Sequence, residues 1–155
     1  MHAGPTTMTV QLDTSAEERI RRTFTRQLIM GTIGATMTEV SEDHVEIRMP
    51  FNAAYAQQHG FLHAGIVSTL VDSANGLAAL TLLPEDAAIL AVEFKVNFVA
   101  PAEGESFVAR GRVLKSGRTL SVCSGDVHAL VDGEERLVAT MMSTCMAILN
   151  RGLVD

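Results

Sequence analysis

The sequence predicts an α+β domain in which a curved antiparallel sheet is wrapped around one long central helix. The first observation is an almost wholly apolar run from Ala64 to Leu83, which is too long for a typical strand and contains no internal proline. The second is a series of strand-like segments after this run, joined by short turns as in antiparallel hairpins. A long antiparallel sheet must bury one face, and only the apolar run is long enough to cover it.

The elements are expected in the order helix, two strands, long helix and four strands. Ser15 precedes Glu17 and Glu18, which is a helix-start signal. This first helix is expected to run to about Met30, with Leu28 on its inner face. The alternation of apolar and polar residues, bounded by turn residues, predicts strands at 35–40, 44–49, 89–99, 107–115, 120–131 and 137–149.

Length and composition indicate a single cytoplasmic domain. The 155 residues are expected to divide into a flexible leader, 1–14, and one folded domain, 15–150. The net charge of -6 and the absence of tryptophan argue against a nucleic-acid partner. Polar residues within the apolar run argue against a membrane span. Cys123 and Cys145 lack metal or disulfide spacing and there is no signal peptide, so we expect reduced thiols and no metal.

One carboxylate, Asp72, interrupts the apolar run. Burying an ionisable group costs free energy, so a structural or functional role is expected for Asp72. Helical spacing places four residues on the same side of the helix as Asp72, where they form a small, polar stripe: Gly65, Ser68, Asn75 and Gly76. Such a stripe leaves room for a ligand beside the carboxylate. A structural carboxylate, satisfied within the core, is the alternative interpretation.

The segment around this helix resembles the PaaI-type acyl-CoA thioesterases of the hotdog fold, a family named for phenylacetic acid degradation. The family pattern is an Asn, a Gly, the triplet His-Gly-Gly, and an acidic residue nine positions after the His. Gln57 stands where the family often has Asn, and Gly60 occupies the glycine position. His63-Ala64-Gly65 matches the triplet with one change, and Asp72 follows His63 by nine positions. Segments 92–102 and 111–119 also resemble the family, so the likeness covers residues 36–148.

The resemblance implies a thioester hydrolase without a cofactor, coenzyme A being part of the substrate. The backbone N–H of Ala64, with Gly65 nearby, would polarise the thioester carbonyl at the positive end of the helix. Gln57 would hold the water or the thioester, and His63 would fix the loop before the helix. Asp72, contributed by the opposite subunit, would act either as general base or as nucleophile.

A basic cluster indicates where the substrate could bind. The cluster is either a solvated strand face or a site for the phosphates of coenzyme A, and it consists of Arg110, Arg112, Lys115 and Arg118. Arg118 lies in a tight turn where backbone N–H groups could add to its guanidinium, with Arg110 and Arg112 extending the patch. The family implies a homo-oligomer, either a dimer or a dimer of dimers. The residues expected to bind acyl-CoA are Gly60, Ser68, Asn75, Gly117, Arg118 and Thr119.

Other functions fit the sequence less well. A hotdog domain that binds acyl-CoA without cleaving it is the main alternative, but it would tend to lack the helix carboxylate and to carry a DNA-binding segment. A serine hydrolase is disfavoured because no Gly-x-Ser-x-Gly elbow is present. A hotdog dehydratase would pair a histidine and an acid differently, and a purely structural oligomerisation module would not need Asp72.

Overall fold

A computed structural model of the chain describes residues 10–149 and 151–153, so most of the expected leader lies outside the described residues. The helices are α1 (Thr14–Arg26), α2 (Leu28–Thr32) and α3 (Ala64–Leu80), with a 3-10 turn at Ala53–Tyr55. The strands are β1 (Thr36–Ser41), β2 (His44–Pro50), β3 (Ala88–Phe98), β4 (Ser106–Ser116), β5 (Leu120–Val131) and β6 (Glu134–Ile148). The predicted order of helices and strands is confirmed.

The six strands form one antiparallel sheet in the order β1-β2-β4-β5-β6-β3. Helix α3 packs across this sheet and buries Val67, Leu70, Val71 and Leu77 against it. The helix ends at Leu80, before the end of the apolar run, and the Thr81 hydroxyl donates to the Ala78 carbonyl just after its last residue. Within the described residues, no helix has the length and apolar character that crossing a bilayer requires.

Helix α3 lies so close to the sheet that two strand positions must be glycine. A Cβ added at Gly111 on β4 would lie 2.4 Å from the carbonyl carbon of Ala74 and 2.5 Å from the amide nitrogen of Asn75. A Cβ at Gly125 on β5 would lie 2.6 Å from the Asn75 side-chain oxygen. These contacts fix the rotation of α3 about its own axis and therefore decide which of its residues face away from the sheet.

Replacing Gly111 by alanine is expected to destabilise the protein by about 3 kcal/mol, because the methyl group meets helix backbone that cannot move aside locally. Urea unfolding followed by circular dichroism measures the loss. Gly76→Ala is the matched control, since a Cβ there meets nothing within 4 Å and alanine favours the helix. Equal unfolding midpoints for the two variants would contradict this account of the helix–sheet contact.

The N-terminal helix differs from its prediction. Asp13, not Ser15, caps α1, with its carboxylate accepting from the Ala16 N–H at 2.9 Å. The chain leaves the helix at Gln27, where φ is -76° and ψ is 91°, and then starts the short α2. This break turns Leu28 outward, so that it is 82% exposed, and the prediction that Leu28 lies on the inner face is wrong. The break also brings the Gln27 side chain to α3.

Candidate active site

A tight loop before α3 presents Gln57. Its backbone N–H donates to the Phe61 carbonyl at 2.8 Å, and the Gly60 N–H donates back to the Gln57 carbonyl at 2.9 Å. Gly60 has a φ of +88°, a left-handed conformation that glycine adopts without strain. The Gln57 side-chain oxygen accepts from the His59 N–H, which leaves the Gln57 amide NH2 as the group that can donate to a substrate or a water.

His63 caps α3 and sets which backbone N–H groups of the first turn are free. Its Nδ1 atom accepts from the Gly65 N–H at 2.9 Å, which requires the neutral ring with its proton on Nε2. Its carbonyl accepts from Ile66 at 2.9 Å and Val67 at 3.1 Å. Among the described residues the Ala64 N–H has no acceptor. Ala64 therefore offers a donor at the positive end of the helix dipole, whereas the Gly65 N–H is occupied.

Asp72 lies on α3 as a half-buried carboxylate. In the part of the chain that the structure describes, it has no hydrogen-bond or ion-pair partner. Burial alone raises the pKa of its carboxyl above the usual aspartate value. A carboxylate that is desolvated and unpaired is costly for a structural role, and it is typical of a group that acts on a ligand.

Asp72 and Ala64 are too far apart within one chain to act on one thioester. They are eight residues apart on the same helix, which corresponds to roughly 12 Å along its axis. A general base must lie about 3 Å from the proton that it takes, or reach it through one water. A carbonyl held by Ala64 is therefore out of reach of Asp72 in the same chain.

The structure adds a residue that sequence reasoning missed. Asp72 lines a cavity of about 120 Å³ together with Gln27, Ser73, Gly76, Leu77, Ile89 and Ala91. The Ser73 hydroxyl donates to the Gln27 side-chain oxygen at 3.0 Å. Gln27 is distant in sequence from the helix motif and ends α1 without a proline or glycine signal. No pattern in the sequence pointed to it.

Comparisons with known proteins establish the family. The profile of the thioesterase superfamily matches residues 59–135. A thioesterase family protein from Silicibacter pomeroyi, known from its crystal structure, is 52% identical and superposes with a TM-score of 0.86, covering 87% of this chain and 99% of that one. The chain belongs to the thioesterase superfamily.

Two further proteins are similar to this thioesterase, one in sequence and one in fold. Human acyl-coenzyme A thioesterase 13 is 31% identical over 114 residues, which are 73% of this chain and 78% of the relative. The PaaI protein of the Escherichia coli phenylacetic acid degradation operon is 18% identical and shares the fold, with a TM-score of 0.79 over 89% of this chain and 96% of that one. The predicted hotdog fold and thioester-hydrolase class are confirmed.

Asn75, which is predicted to bind acyl-CoA, is buried between α3 and the sheet in this thioesterase, and its contact with the substrate stays a prediction. Its side chain is 0% exposed, and its amide donates to the Ser143 hydroxyl at 2.9 Å beneath the sheet. The close approach of α3 to Gly111 and Gly125 turns this helix position inward. Ser68 remains half-buried, with its hydroxyl donating to the Ala64 carbonyl at 2.9 Å, and so stays near the open end of the helix.

The hairpin that joins β4 and β5 presents Arg118 and Thr119 to solvent. The Gly117 N–H closes this hairpin by donating to the Leu120 carbonyl at 2.9 Å. A Cβ at Gly117 would lie 2.7 Å from that carbonyl oxygen, so only glycine fits there. The exposed guanidinium of Arg118 is therefore carried on a closely packed turn, as a site for a phosphate group would require.

Arg110 does not extend this cationic patch. Its guanidinium donates at 2.7 Å to Glu46 and, through two nitrogens, to both oxygens of Glu135. Burial raises the pKa of Glu46, but hydrogen bonds from Thr38, Arg48 and Arg110 outweigh it, so the pKa lies below its usual value. With two carboxylates bound, Arg110 carries no surplus charge for a phosphate, and the prediction that it extends the patch is wrong.

Proposed function

We propose that this thioesterase hydrolyses acyl-CoA at a site shared by two copies of the chain. The observation that carries the proposal is the unpaired Asp72 carboxylate, roughly 12 Å along α3 from the Ala64 N–H. The likeness to human acyl-coenzyme A thioesterase 13 supports acyl-CoA as the substrate class. In the shared site, one copy supplies Ala64 and Gln57 and the other supplies Asp72.

The Ala64 N–H and the helix dipole would hold the thioester oxygen as negative charge develops on it. Asp72 would take a proton from a water oriented by the Gln57 amide, and the water oxygen would attack the carbonyl carbon. The carbon–sulfur bond then breaks, and coenzyme A leaves as a thiolate that takes up a proton. Alternatively, Asp72 attacks directly and forms an anhydride that water hydrolyses. Single-turnover hydrolysis in ¹⁸O-water separates the routes, because only the anhydride route can place label in Asp72.

The edge strand β3 supports a dimer. Among the described residues it pairs with β6 along one side only, and its other side is an edge of the sheet. Phe94 and Phe98 share the face that α3 covers elsewhere, yet they are 46% and 48% exposed. Large apolar side chains on an open edge invite pairing with another chain. We propose that a second copy covers them, in a dimer or a dimer of dimers, and light scattering at assay concentration measures this.

Hydrolysis of a short, a long and an aromatic acyl-CoA, with the released thiol detected, tests the activity itself. We expect thiol release from at least one of the three and none from Asp72→Asn. Binding of all three without thiol release would instead favour the acyl-CoA-binding domain. An active monomer in light scattering would contradict the shared site while leaving the activity intact.

Arg118→Ala is expected to raise KM for acyl-CoA by roughly tenfold with a smaller effect on kcat, the pattern of lost ground-state binding. The defect should shrink for acyl-pantetheine, which lacks the nucleotide phosphates, and added salt should weaken wild-type binding more than variant binding. Arg136→Ala, an exposed arginine on β6, is a matched control. An unchanged KM at low salt would show that the phosphates bind elsewhere.

The cytoplasm is the compartment that we propose. Cys123 and Cys145 are both buried and free, as thiols are in a reducing environment. Fractionation followed by immunodetection locates the protein, and recovery in an oxidising compartment would contradict the proposal.

A further inference from the structure

The cavity beside Asp72 is small, and most of its wall is apolar. Leu77 and Gly76 line it from α3, and Ile89 and Ala91 line it from β3. Its volume of about 120 Å³ is less than the roughly 150 Å³ of a dry protein cavity that holds benzene. A compact apolar group therefore fits there beside the carboxylate.

A second recess adjoins this cavity. It has a volume of about 360 Å³ and is lined by Thr23, Arg26, Gln27 and Ile89. Gln27 and Ile89 are common to both linings, so these two side chains lie where the cavity and the recess meet. Gln27 is held in place from the α3 side, because the Ser73 hydroxyl donates to its side-chain oxygen at 3.0 Å.

We propose that Gln27, held by Ser73, is the wall that sets the size of the acyl group this thioesterase accepts. The inference rests on the proposed function, since it takes hydrolysis of acyl-CoA beside Asp72 as given. With the wall in place the enzyme takes short aliphatic acyl groups in preference to long or aromatic ones. Without the wall, the cavity and the recess become one slot that admits a longer chain.

The apolar lining of the cavity suits the acyl group of the substrate better than it suits coenzyme A. A base that acts at the thioester places the first acyl carbons within a few bond lengths of the Asp72 carboxylate. The pantetheine arm carries amides and leads to charged phosphates, which an apolar pocket of this size does not accommodate. A saturated acyl chain gains free energy for each methylene that it buries there.

The test compares kcat/KM for decanoyl-CoA with that for butyryl-CoA. We expect the wild type to prefer butyryl-CoA and Gln27→Ala to raise the decanoyl-to-butyryl ratio by about tenfold or more, since one methylene in an apolar pocket already changes kcat/KM by about tenfold. Gln27→Ser shortens the side chain in the same way and serves if the alanine variant does not fold. An unchanged or lowered ratio overturns the inference.

Two further variants show whether a changed substrate preference comes from the size of the slot or from a general loosening of α1. Gly76→Leu fills the cavity from α3, where a Cβ meets nothing within 4 Å, and should move the preference from butyryl-CoA toward acetyl-CoA. Gln27→Met keeps the volume of the wall without its amide and should retain the wild-type ratio. A raised ratio in Gln27→Met, or an equal loss on every substrate in Gly76→Leu, also overturns the inference.

The outcome for the wild type separates the two proposals. If the wild type releases no thiol from any acyl-CoA, the proposed function fails. If the wild type is active but neither Gln27→Ala nor Gly76→Leu changes its preference, only the inference about Gln27 fails.

Discussion

Asp72→Asn is expected to lower kcat on the best acyl-CoA by on the order of 10²-fold or more while the fold is kept, because the swap removes the base or nucleophile and little volume. Released thiol measures the rate, and circular dichroism checks the fold. Asp126→Asn is the matched control, since Asp126 lies on the opposite face of the sheet from α3. Turnover near that of the wild type would remove Asp72 from the mechanism.

The pH dependence of kcat/KM should also reflect the ionisation of Asp72. In the proposed mechanism Asp72 acts in its ionised form, and burial raises the pKa of this carboxyl. The kcat/KM of the wild type should therefore fall as pH drops through that raised pKa, at a higher pH than an exposed aspartate would give. An acid limb at the ordinary aspartate value would show that the group is solvated in the working enzyme.

Asp72→Asn should lower the activity but should not lower the stability of the folded protein at neutral pH. Burial raises the pKa of Asp72 in the folded protein above its value in the unfolded chain. The folded protein therefore gains stability relative to higher pH when this side chain is protonated. The gain is complete below the unfolded-state pKa and is lost as pH rises through the folded-state pKa. At pH 7 the ionised carboxylate therefore costs stability, and Asp72→Asn should melt at an equal or higher temperature than the wild type. The difference should vanish below about pH 4, where the wild-type side chain is also neutral.

The sequence predicted those parts of the fold that depend on local composition. The run from Ala64 is apolar on nearly every face, which only a helix buried in a sheet explains, and α3 begins at Ala64 as expected. The alternation along β2 marks a strand whose inner residues, Val45 and Ile47, are fully buried. In each case the pattern itself requires a partner surface within the same chain.

The parts of the fold that could not be predicted depend on which surface packs against a given strand or helix. β3 alternates as regularly as β2, but Phe94 and Phe98 are exposed, because periodicity shows which face is apolar and not what covers it. The rotation of α3 about its own axis could not be predicted either, since small residues surround Asp72 on all sides. Only the close contact at Gly111 and Gly125 shows that Asn75 points into the sheet while Asp72 points away.

Ala64→Pro is expected to lower kcat by about 10²- to 10³-fold with little change in melting temperature, because it removes the N–H that we propose binds the oxyanion. Ala64 is the first residue of α3, where proline is favoured and its missing N–H breaks no helical bond. His63 has φ -61° and ψ 137°, which suits a residue before proline. Ala64→Ser keeps the N–H and should stay near the wild-type rate. A proline variant with the wild-type kcat would show that the oxyanion is held elsewhere.

Combining the two inactive variants tests the shared site most directly. In a dimer of Asp72→Asn with Ala64→Pro, one site has both residues intact, from different copies, and the other site has neither. Differently tagged chains, co-expressed and purified through both tags, should therefore recover about half of the wild-type activity per dimer. If each site were built within one chain, every site in this mixed dimer would carry a lesion and it would remain as inactive as its parents. The geometry of α3 favours recovery, because roughly 12 Å of helix separates the two groups in any single copy.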